Sequence, residues 1–267
     1  MRTSADSGSS RPLGLVRQAV LIALLQSIAL TSVPGQANEL PFGVGERLQY
    51  RVSIGKLGGV GEGVMSVDGP VDVRGTTTLV LRSDIRARIG FMKTTERSES
   101  WIDPTRMAAL RYVKRVRGAF SRGNQQVEMF PENQRWEDER GHGGESPTSA
   151  PLDELSFIYF LRTLPLDSDT VDRVVRHYDR DRNPIAVRVV GRDTVRTKAG
   201  TFATVEIEMR VKDPQRYGGE GVIRIHLSDD ADRYPVRIES SVPVLGTTVL
   251  TLESYVRPPQ RLAIRRE

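Results

Sequence analysis

The fold is decided by the stretch Pro151-Leu-Asp-Glu-Leu-Ser-Phe-Ile-Tyr-Phe-Leu-Arg-Thr-Leu164. Its apolar residues recur at the three- and four-residue spacing of a helix face, as Leu152, Leu155, Ile158, Tyr159 and Leu161 do. Two phenylalanines extend the apolar surface almost all the way round, and such a helix is normally buried. The sequence therefore predicts a buried helix over about 151–164, with Ser149 or Asp153 as its N-cap and Pro151 in its first turn.

The chain on either side of this helix has the pattern of β-strands. Apolar and polar residues alternate over 48–54 and again over 205–211, which is typical of half-buried strands. Roughly a dozen or more such runs follow one another at ~8–12 residue spacing, the spacing of an antiparallel sandwich or barrel. We expect a mainly β fold, a curved antiparallel sheet that is barrel-like or a half-barrel around one central helix. The polar, glycine-rich stretch 136–149 is predicted to be a mobile loop.

Residues 1–37 have the pattern of a secretory signal peptide. Three arginines precede an apolar run, Ala19–Leu30, which is shorter than the ~20 residues that span a bilayer as a helix. Small residues, Gly35 and Ala37, follow at the positions that a signal peptidase requires, so cleavage is expected after Ala37. A short membrane anchor is the alternative, and Gln26 disfavours it by interrupting the run. The sequence thus predicts an exported protein, periplasmic in a bacterium.

The remaining chain, 38–267, is long enough to bury a sizeable core. We expect one β-rich domain over 38–256, with two packed halves split near 136–150 as an alternative. The proline-led, basic end, 257–267, is predicted to be a flexible tail. No later apolar run approaches ~18 residues, so no transmembrane helix is expected after cleavage.

Composition excludes several classes of function. The net charge of +5 falls to +3 without residues 1–37, which contain three arginines and one aspartate, and no basic block indicates a nucleic-acid partner. The absence of cysteine excludes disulfides, thiol catalysis and iron–sulfur clusters. The three histidines, His142, His177 and His226, lack the spacing of a metal site. No metal and no cofactor are expected.

One acidic cluster could support acid–base chemistry. Asp229 and Asp230 lie between two predicted strands, close in sequence to His226. Paired carboxylates can act as general acid and base, which suggests a hydrolase as an alternative function. Aspartates between strands more often cap backbone groups of a turn, and this interpretation is favoured.

Several stretches together resemble a known family. Phe42 to Tyr50 reads Phe-x-x-Gly-Glu-x-Leu-x-Tyr, a glycine-rich second strand follows, and Gly200-Thr-Phe202 precedes a strand. Ile223-x-Ile-x-Leu-Ser-Asp-Asp leads into the last strands. In this order the stretches are similar to the bacterial envelope family catalogued as domain of unknown function 3108, over about 42–255. The resemblance implies export and a β-rich fold, and no established activity or catalytic residue.

The favoured hypothesis is a non-catalytic envelope protein that binds a lipid, a lipoprotein acyl chain or a peptide, or supports the envelope. The architecture is also similar to that of half-barrel lipoprotein carriers, an analogy of fold alone. The candidate ligand residues are Leu155, Ile158 and Tyr159, with Arg162 as a polar handle. An outer-membrane-associated barrel is a further alternative, which the arginines in short strands disfavour. The helix is therefore expected to be either a plug that completes the core or a lid over a cavity.

Overall fold

The computed structural model of the chain describes residues 38–118, 122–166, 171–213, 219–242 and 246–264. The predicted signal peptide, 1–37, lies outside these residues. Within them the chain forms sixteen strands and one α-helix. That helix has eight residues, and no helix in the described ranges is long and apolar enough to cross a bilayer.

The elements follow one another in this order. The first nine strands are β1 (Asn38–Glu39), β2 (Arg47–Ile54), β3 (Gly59–Val73), β4 (Thr76–Ile89), β5 (Met92–Asp103), β6 (Ala108–Gly118), β7 (Arg122–Phe130), β8 (Arg135–Asp138) and β9 (Gly143–Glu145). Helix α1 spans Glu154–Leu161. The last seven strands are β10 (Val171–Val174), β11 (Ile185–Thr197), β12 (Gly200–Asp213), β13 (Gly219–Ser228), β14 (Pro235–Val242), β15 (Gly246–Val256) and β16 (Ala263–Ile264).

Fourteen of these strands form one antiparallel sheet. Each strand lies beside its neighbour in sequence, except that β15 pairs with β2, where Leu252 lies opposite Tyr50. The sheet does not close, and its two edges are β9 and β10, the strands that flank α1 in the chain. The predicted mainly β, antiparallel, barrel-like fold with one helix is confirmed. Helix α1 therefore belongs to the segment of chain that connects the two edges of the sheet.

The segment that leads into the helix is hydrogen-bonded on both sides, to the chain that follows β10 and to β6. Leu152 N–H donates to the Arg176 carbonyl at 2.6 Å, and Tyr178 N–H donates to the Leu152 carbonyl at 3.1 Å. On the other side, Ala109 N–H of β6 donates to the Pro151 carbonyl at 2.7 Å. Since these bonds hold 151–152 extended, Pro151 precedes the helix, and the prediction that it lies in the first turn is wrong.

Asp153 is the N-cap, one of the two residues predicted for this place. Its carboxylate accepts hydrogen bonds from Leu155 N–H at 2.9 Å and Ser156 N–H at 3.0 Å. The Ser156 hydroxyl accepts one from Asp153 N–H at 2.9 Å, which completes a capping box. This reciprocal cap fixes the start of the helix against the sheet.

Helix and sheet share one hydrophobic core. Alternate residues of β2 and β12 point inward, as the sequence predicts, and are buried: Leu48, Tyr50, Val52, Val205, Ile207 and Met209. Four apolar residues of α1 join the same cluster: Leu155, Phe157, Tyr159 and Leu161. The helix therefore fills the concave side of the sheet, as the predicted plug would.

Two segments differ from their predictions. The stretch 136–149, predicted to be a loop, contributes to two short strands, β8 and the edge strand β9, where Trp136 lies opposite Gly144. The predicted flexible tail lies partly outside the described residues, but its end at β16 pairs with β1, with Ala263 opposite Glu39. Neither segment has strong apolar alternation, and both are paired through backbone hydrogen bonds that local sequence does not encode.

Two glycines of β3 illustrate how closely the strands approach one another. A Cβ atom on Gly61 would lie 1.9 Å from the Arg86 carbonyl oxygen, so the β4 backbone excludes any side chain there. A Cβ atom on Gly63 would meet the side chains of Tyr50, Ile85 and Leu250 at 3.6–3.7 Å, which is ordinary contact.

Replacing Gly61 by alanine is expected to lower the free energy of unfolding by about 2 kcal/mol or more, because the methyl group must displace neighbouring backbone. Gly63→Ala is the matched control and should change it by less than about 1 kcal/mol. Urea unfolding followed by circular dichroism measures both. Equal stability of the two variants would show that the strands separate easily at Gly61.

Candidate functional site

Three of the four predicted ligand residues lie in the core. Leu155 is 4% exposed, Tyr159 is not exposed and Arg162 is 2% exposed, whereas Ile158 is half-buried. The structure brings them together on one short helix, where the contacts of the three buried residues are with the protein itself. A direct role of these four residues in ligand binding stays a prediction.

Arg162 follows the last helical residue and is held by four hydrogen bonds. Nη1 donates to Glu46 Oε1 at 2.7 Å, and Nη2 donates to Glu46 Oε2 at 2.8 Å. Nη2 also reaches the carbonyl oxygens of Pro41 at 2.7 Å and Asp232 at 2.9 Å. Both charged side chains are fully buried. The guanidinium thus joins the end of the helix to the loop before β2 and to the turn after β13.

Aromatic rings surround this buried ion pair. The guanidinium carbon lies 5.2 to 5.7 Å from three ring centres, those of Phe42, Tyr159 and Tyr234. Burial disfavours the charged form of Arg162, but Glu46 outweighs it and raises the pKa of the guanidinium. Arg162 is therefore a cationic anchor inside an aromatic cage.

Arg162→Met is expected to destabilise the protein by roughly 3–5 kcal/mol, since it leaves the Glu46 carboxylate buried and unpaired. The double variant Glu46→Gln/Arg162→Met removes that charge and should recover at least half of the loss. Thermal and urea unfolding measure both effects. A single variant as stable as the native chain would show that water reaches the pair.

The acidic cluster does not assemble around a shared centre. Asp229 lies 3.1 Å from the Arg192 guanidinium. Asp230 accepts hydrogen bonds from two backbone N–H groups of its own turn. His226 contacts the Thr204 hydroxyl at 3.4 Å. The three side chains thus have three different partners, and Asp230 stabilises a turn in the way that the favoured interpretation predicts.

The concave face of the sheet is open at one end. On strand after strand, inward-facing residues are buried beside α1 and become half-buried toward the end that carries the β4–β5 turn. We call this region the open end and define it by eight inward-facing residues: Ile54, Ile85, Glu96, Lys114, Gln125, Val211, Ile223 and Leu250. The helix therefore fills only part of the concave face.

One wall of the open end is aliphatic. Ile85 and Leu250 approach the backbone of Gly63 from opposite sides, because a Cβ atom there would lie 3.7 Å from a carbon of each. Ile54 and Ile223 lie in one cross-strand row, with Thr248 of β15 and Ser240 of β14 between them. Since Gly63 has no side chain, it leaves a depression between the aliphatic groups.

The adjoining wall, which begins where Glu96 pairs in register with Ile85, is polar and charged. Lys114 Nζ lies 3.1 Å from Glu96 Oε1. Arg182 Nη1 lies 2.8 Å from Glu154 Oε1, at the first residue of α1, and 3.2 Å from Asp213 Oδ2. Burial alone would raise the pKa of Glu154, but the neighbouring basic residues, His177, Arg182 and Lys114, lower it to about 2. The open end thus has an aliphatic wall beside two groups of ion pairs.

Two surface pockets lie elsewhere. One, of about 180 Å³, is lined by residues of β7 and β8, and the other, of about 130 Å³, lies near Arg106 and Pro131. Neither contains a residue of α1 or of the open end, and both are smaller than the roughly 300 Å³ of a typical ligand site.

A buried carboxyl group lies where the helix meets the sheet. Asp153 is fully buried, and its Oδ2 accepts a hydrogen bond from the Ser100 hydroxyl at 2.6 Å. Burial raises the pKa of Asp153 to about 6, although the bonds from Ser100 and Ser156 oppose the shift. The folded chain therefore holds this proton more tightly than the unfolded chain does.

This pKa predicts a specific pH dependence. Because the folded-state value is raised, the stability that the Asp153 proton contributes is complete below about pH 4 and is lost as the pH rises through about 6. Asp153→Asn keeps a capping side chain but cannot ionise. Between pH 4 and 7, the free energy of unfolding of Asp153→Asn should rise by about 2 kcal/mol relative to that of the native protein. Urea unfolding of both proteins across this pH range measures the difference. If their free energies of unfolding changed equally with pH, the prediction would be contradicted.

An open antiparallel sheet wound around one helix places the chain among β-barrel-like proteins. The crystal structure of a β-barrel-like protein of the domain of unknown function DUF1849 from Brucella abortus has this fold, with a TM-score of 0.53 at 10% identity over 81% of this chain and 99% of that chain. The chain belongs to the family described as Protein of unknown function (DUF3108), whose model matches residues 49–253. The resemblance predicted from sequence is confirmed.

Two other solved structures are less similar. A candidate exported protein with a YmcC-like fold from Bacteroides fragilis gives a TM-score of 0.34 at 14% identity, over 83% of this chain and 100% of that chain. A candidate lipoprotein from Parabacteroides distasonis gives 0.32 at 11% identity, over 82% and 99%. No curated protein shows significant similarity to the chain.

Sequence reasoning missed two features of the site. Glu46 lies in the Phe-x-x-Gly-Glu motif but is 116 residues from Arg162, so its role as the partner of the guanidinium has no local signal. The residues of the open end were visible only as ordinary strand alternation. The register of the strands is needed to see that the last inward-facing residues of neighbouring strands form one region.

Proposed function

We propose that the protein is an exported, periplasmic, non-catalytic binding protein of the cell envelope that holds a lipid-like amphiphile at the open end of its sheet. One observation carries this proposal: an aliphatic wall adjoins a charged wall on the part of the concave face that the helix leaves uncovered. An amphiphile has the same division into an acyl chain and a polar head.

The aliphatic wall suits an acyl chain. Ile54, Ile85, Ile223 and Leu250 are half-buried in the protein alone, so a chain laid across them would remove more of their surface from water. Each methylene buried contributes about 0.8 kcal/mol, so a few carbon atoms are enough to give measurable affinity.

The charged wall suits a polar head group. Lys114 keeps 20% of its side-chain surface exposed and Arg182 keeps 22%, so both can donate further hydrogen bonds without leaving their present partners. Their acidic partners, Glu96 and Glu154, are also partly exposed. A head group that carries both charges, or a negative charge with hydroxyl groups, would pair with this wall.

The helix supports this site from within the sheet. Ile158 lies one turn after Glu154 on the same helix face and is half-buried, so it is the predicted ligand residue best placed to meet an acyl chain. The buried residues Leu155, Tyr159 and Arg162 would then fix the helix as the floor of the site. Export rests on the signal-peptide pattern of residues 1–37.

Leu250→Glu tests the proposed site, and Val249→Glu, the adjacent residue on the opposite face of β15, is its matched control. The native protein should bind a dansyl-labelled undecanoic acid, read as an increase in its fluorescence. Leu250→Glu should weaken binding about tenfold or more, because a leucine contact is worth at least about 1.4 kcal/mol, and Val249→Glu should change it less than about twofold.

Melting curves establish that both variants fold, and Leu250→Ser serves if the glutamate does not. Equal affinity of the Leu250 and Val249 variants would place the ligand elsewhere. An absence of binding by the native protein, together with an absence of lipid in mass spectra of the purified native protein, would overturn the proposed function.

A further inference from the structure

Two apolar side chains project from the turns beside the open end. Phe91, in the β4–β5 turn, is 93% exposed, and Leu57, in the turn between β2 and β3, is 61% exposed. These turns are neighbours, because β3 pairs with β4 up to Gly61 opposite Ala87, close to both turns. No packing inside the described protein accounts for a phenylalanine held so completely in water.

A row of basic residues lies directly behind these tips. On the outer face, Arg88 pairs in register with Lys93. On the next two strands Arg117 pairs with Arg122, one outward-facing position farther from the β4–β5 turn, where Arg117 lies opposite Thr95. All four side chains are exposed, and none forms an ion pair with any residue that the structure describes. We call these four residues the basic row.

The arginines farther along the same strands are neutralised. Arg82 bonds to Glu99 at 2.9 Å, and Arg97 bonds to Asp84 at 2.7 Å. Unpaired positive charge on β4 and β5 is therefore concentrated at the end that carries Phe91. This arrangement is complementary to the surface of an anionic bilayer. The exposed apolar side chains would meet the acyl chains, and the basic side chains behind them would meet the phosphate groups.

We propose that the open end docks on an anionic lipid bilayer, with Phe91 and Leu57 inserted among the head groups and the basic row against the phosphates. A protein partner is disfavoured by shape, because specific protein interfaces bury about 800 Å² per side around a packed apolar centre. Here the apolar contact is confined to two adjacent turn tips. Docking in this orientation would face the concave site toward the membrane.

Co-sedimentation with vesicles of phosphatidylcholine, with and without phosphatidylglycerol, tests this surface. The native protein should bind only the vesicles that contain phosphatidylglycerol, and salt should weaken the binding. Leu57→Ser/Phe91→Ser should reduce it about tenfold, since burial of a phenylalanine is lost. Arg88→Glu/Lys93→Glu should abolish it by repelling the anionic surface.

The opposite end of the sheet supplies the controls. Arg196→Glu/Lys198→Glu changes two exposed basic residues at the β11–β12 turn, and Val71→Ser changes a side chain that is 41% exposed near the β3–β4 turn. Both should bind vesicles as the native protein does. The proposal would be overturned if phosphatidylglycerol did not increase vesicle binding by the native protein. It would also be overturned if the controls lost as much binding as the test variants.

These experiments test the docking surface and the amphiphile site independently. Leu57→Ser/Phe91→Ser leaves the inward-facing residues intact, so it should still bind the dansyl-labelled fatty acid in solution. Leu250→Glu should lose the fatty acid and still bind anionic vesicles. If each variant lost both activities, the two surfaces would be one site, and separate docking would be wrong.

Discussion

The buried ion pair between Arg162 and Glu46 joins parts of the chain that the sheet alone would leave apart. It connects the end of the helix to the loop before β2, near the middle of the fourteen-strand order. At its other end the helix is bonded, through Pro151 and Leu152, to β6 and to the segment that follows the edge strand β10. A buried pair of this kind is costly to desolvate, and hydrogen bonds offset part of that cost. Here both carboxylate oxygens of Glu46 and both terminal nitrogens of Arg162 are bonded, whereas Arg162 Nε has no hydrogen-bond partner among the described residues. The rest of the fold depends on this attachment, because it fixes the helix across the concave face.

A fixed helix divides the concave face into two parts with different properties. Around the helix, side chains are buried in one hydrophobic cluster, and the aromatic cage of Arg162 completes it. Beyond the first helical residue, Glu154, the inward-facing residues are half-buried and the ion pairs begin. Val211, Ile223 and Leu250 of the open part pack against this cluster, so the core supports the open part from one side. This explains how a short helix can support a site that it only touches at one end.

The sequence predicted those features that depend on local pattern. Alternation over 48–54 and 205–211 identified strands, and the apolar run with Asp153 as a candidate cap identified the helix. Strands β8 and β9 have no such pattern, because their polar, glycine-rich sequence does not alternate, and only backbone pairing defines them. Arg162 was recognised as unusual, but whether it faces a ligand or a buried carboxylate depends on a residue more than a hundred positions away. The open end depends on the register of several strands, which no single segment encodes.

The pairing of β15 with β2 has a consequence for how the protein is made. Along this seam Arg51 bonds to Glu253, which is 202 residues away in sequence, and the seam lies inside the sheet rather than at an edge. Contacts so distant in sequence form late and slowly during folding. A chain that emerges from a ribosome or a membrane channel with its N-terminus first cannot complete this sheet until its last long strand has followed. Until then, β2 exposes an unpaired edge in the middle of the future sheet, so the nascent chain needs protection from aggregation for nearly the whole of its synthesis or passage.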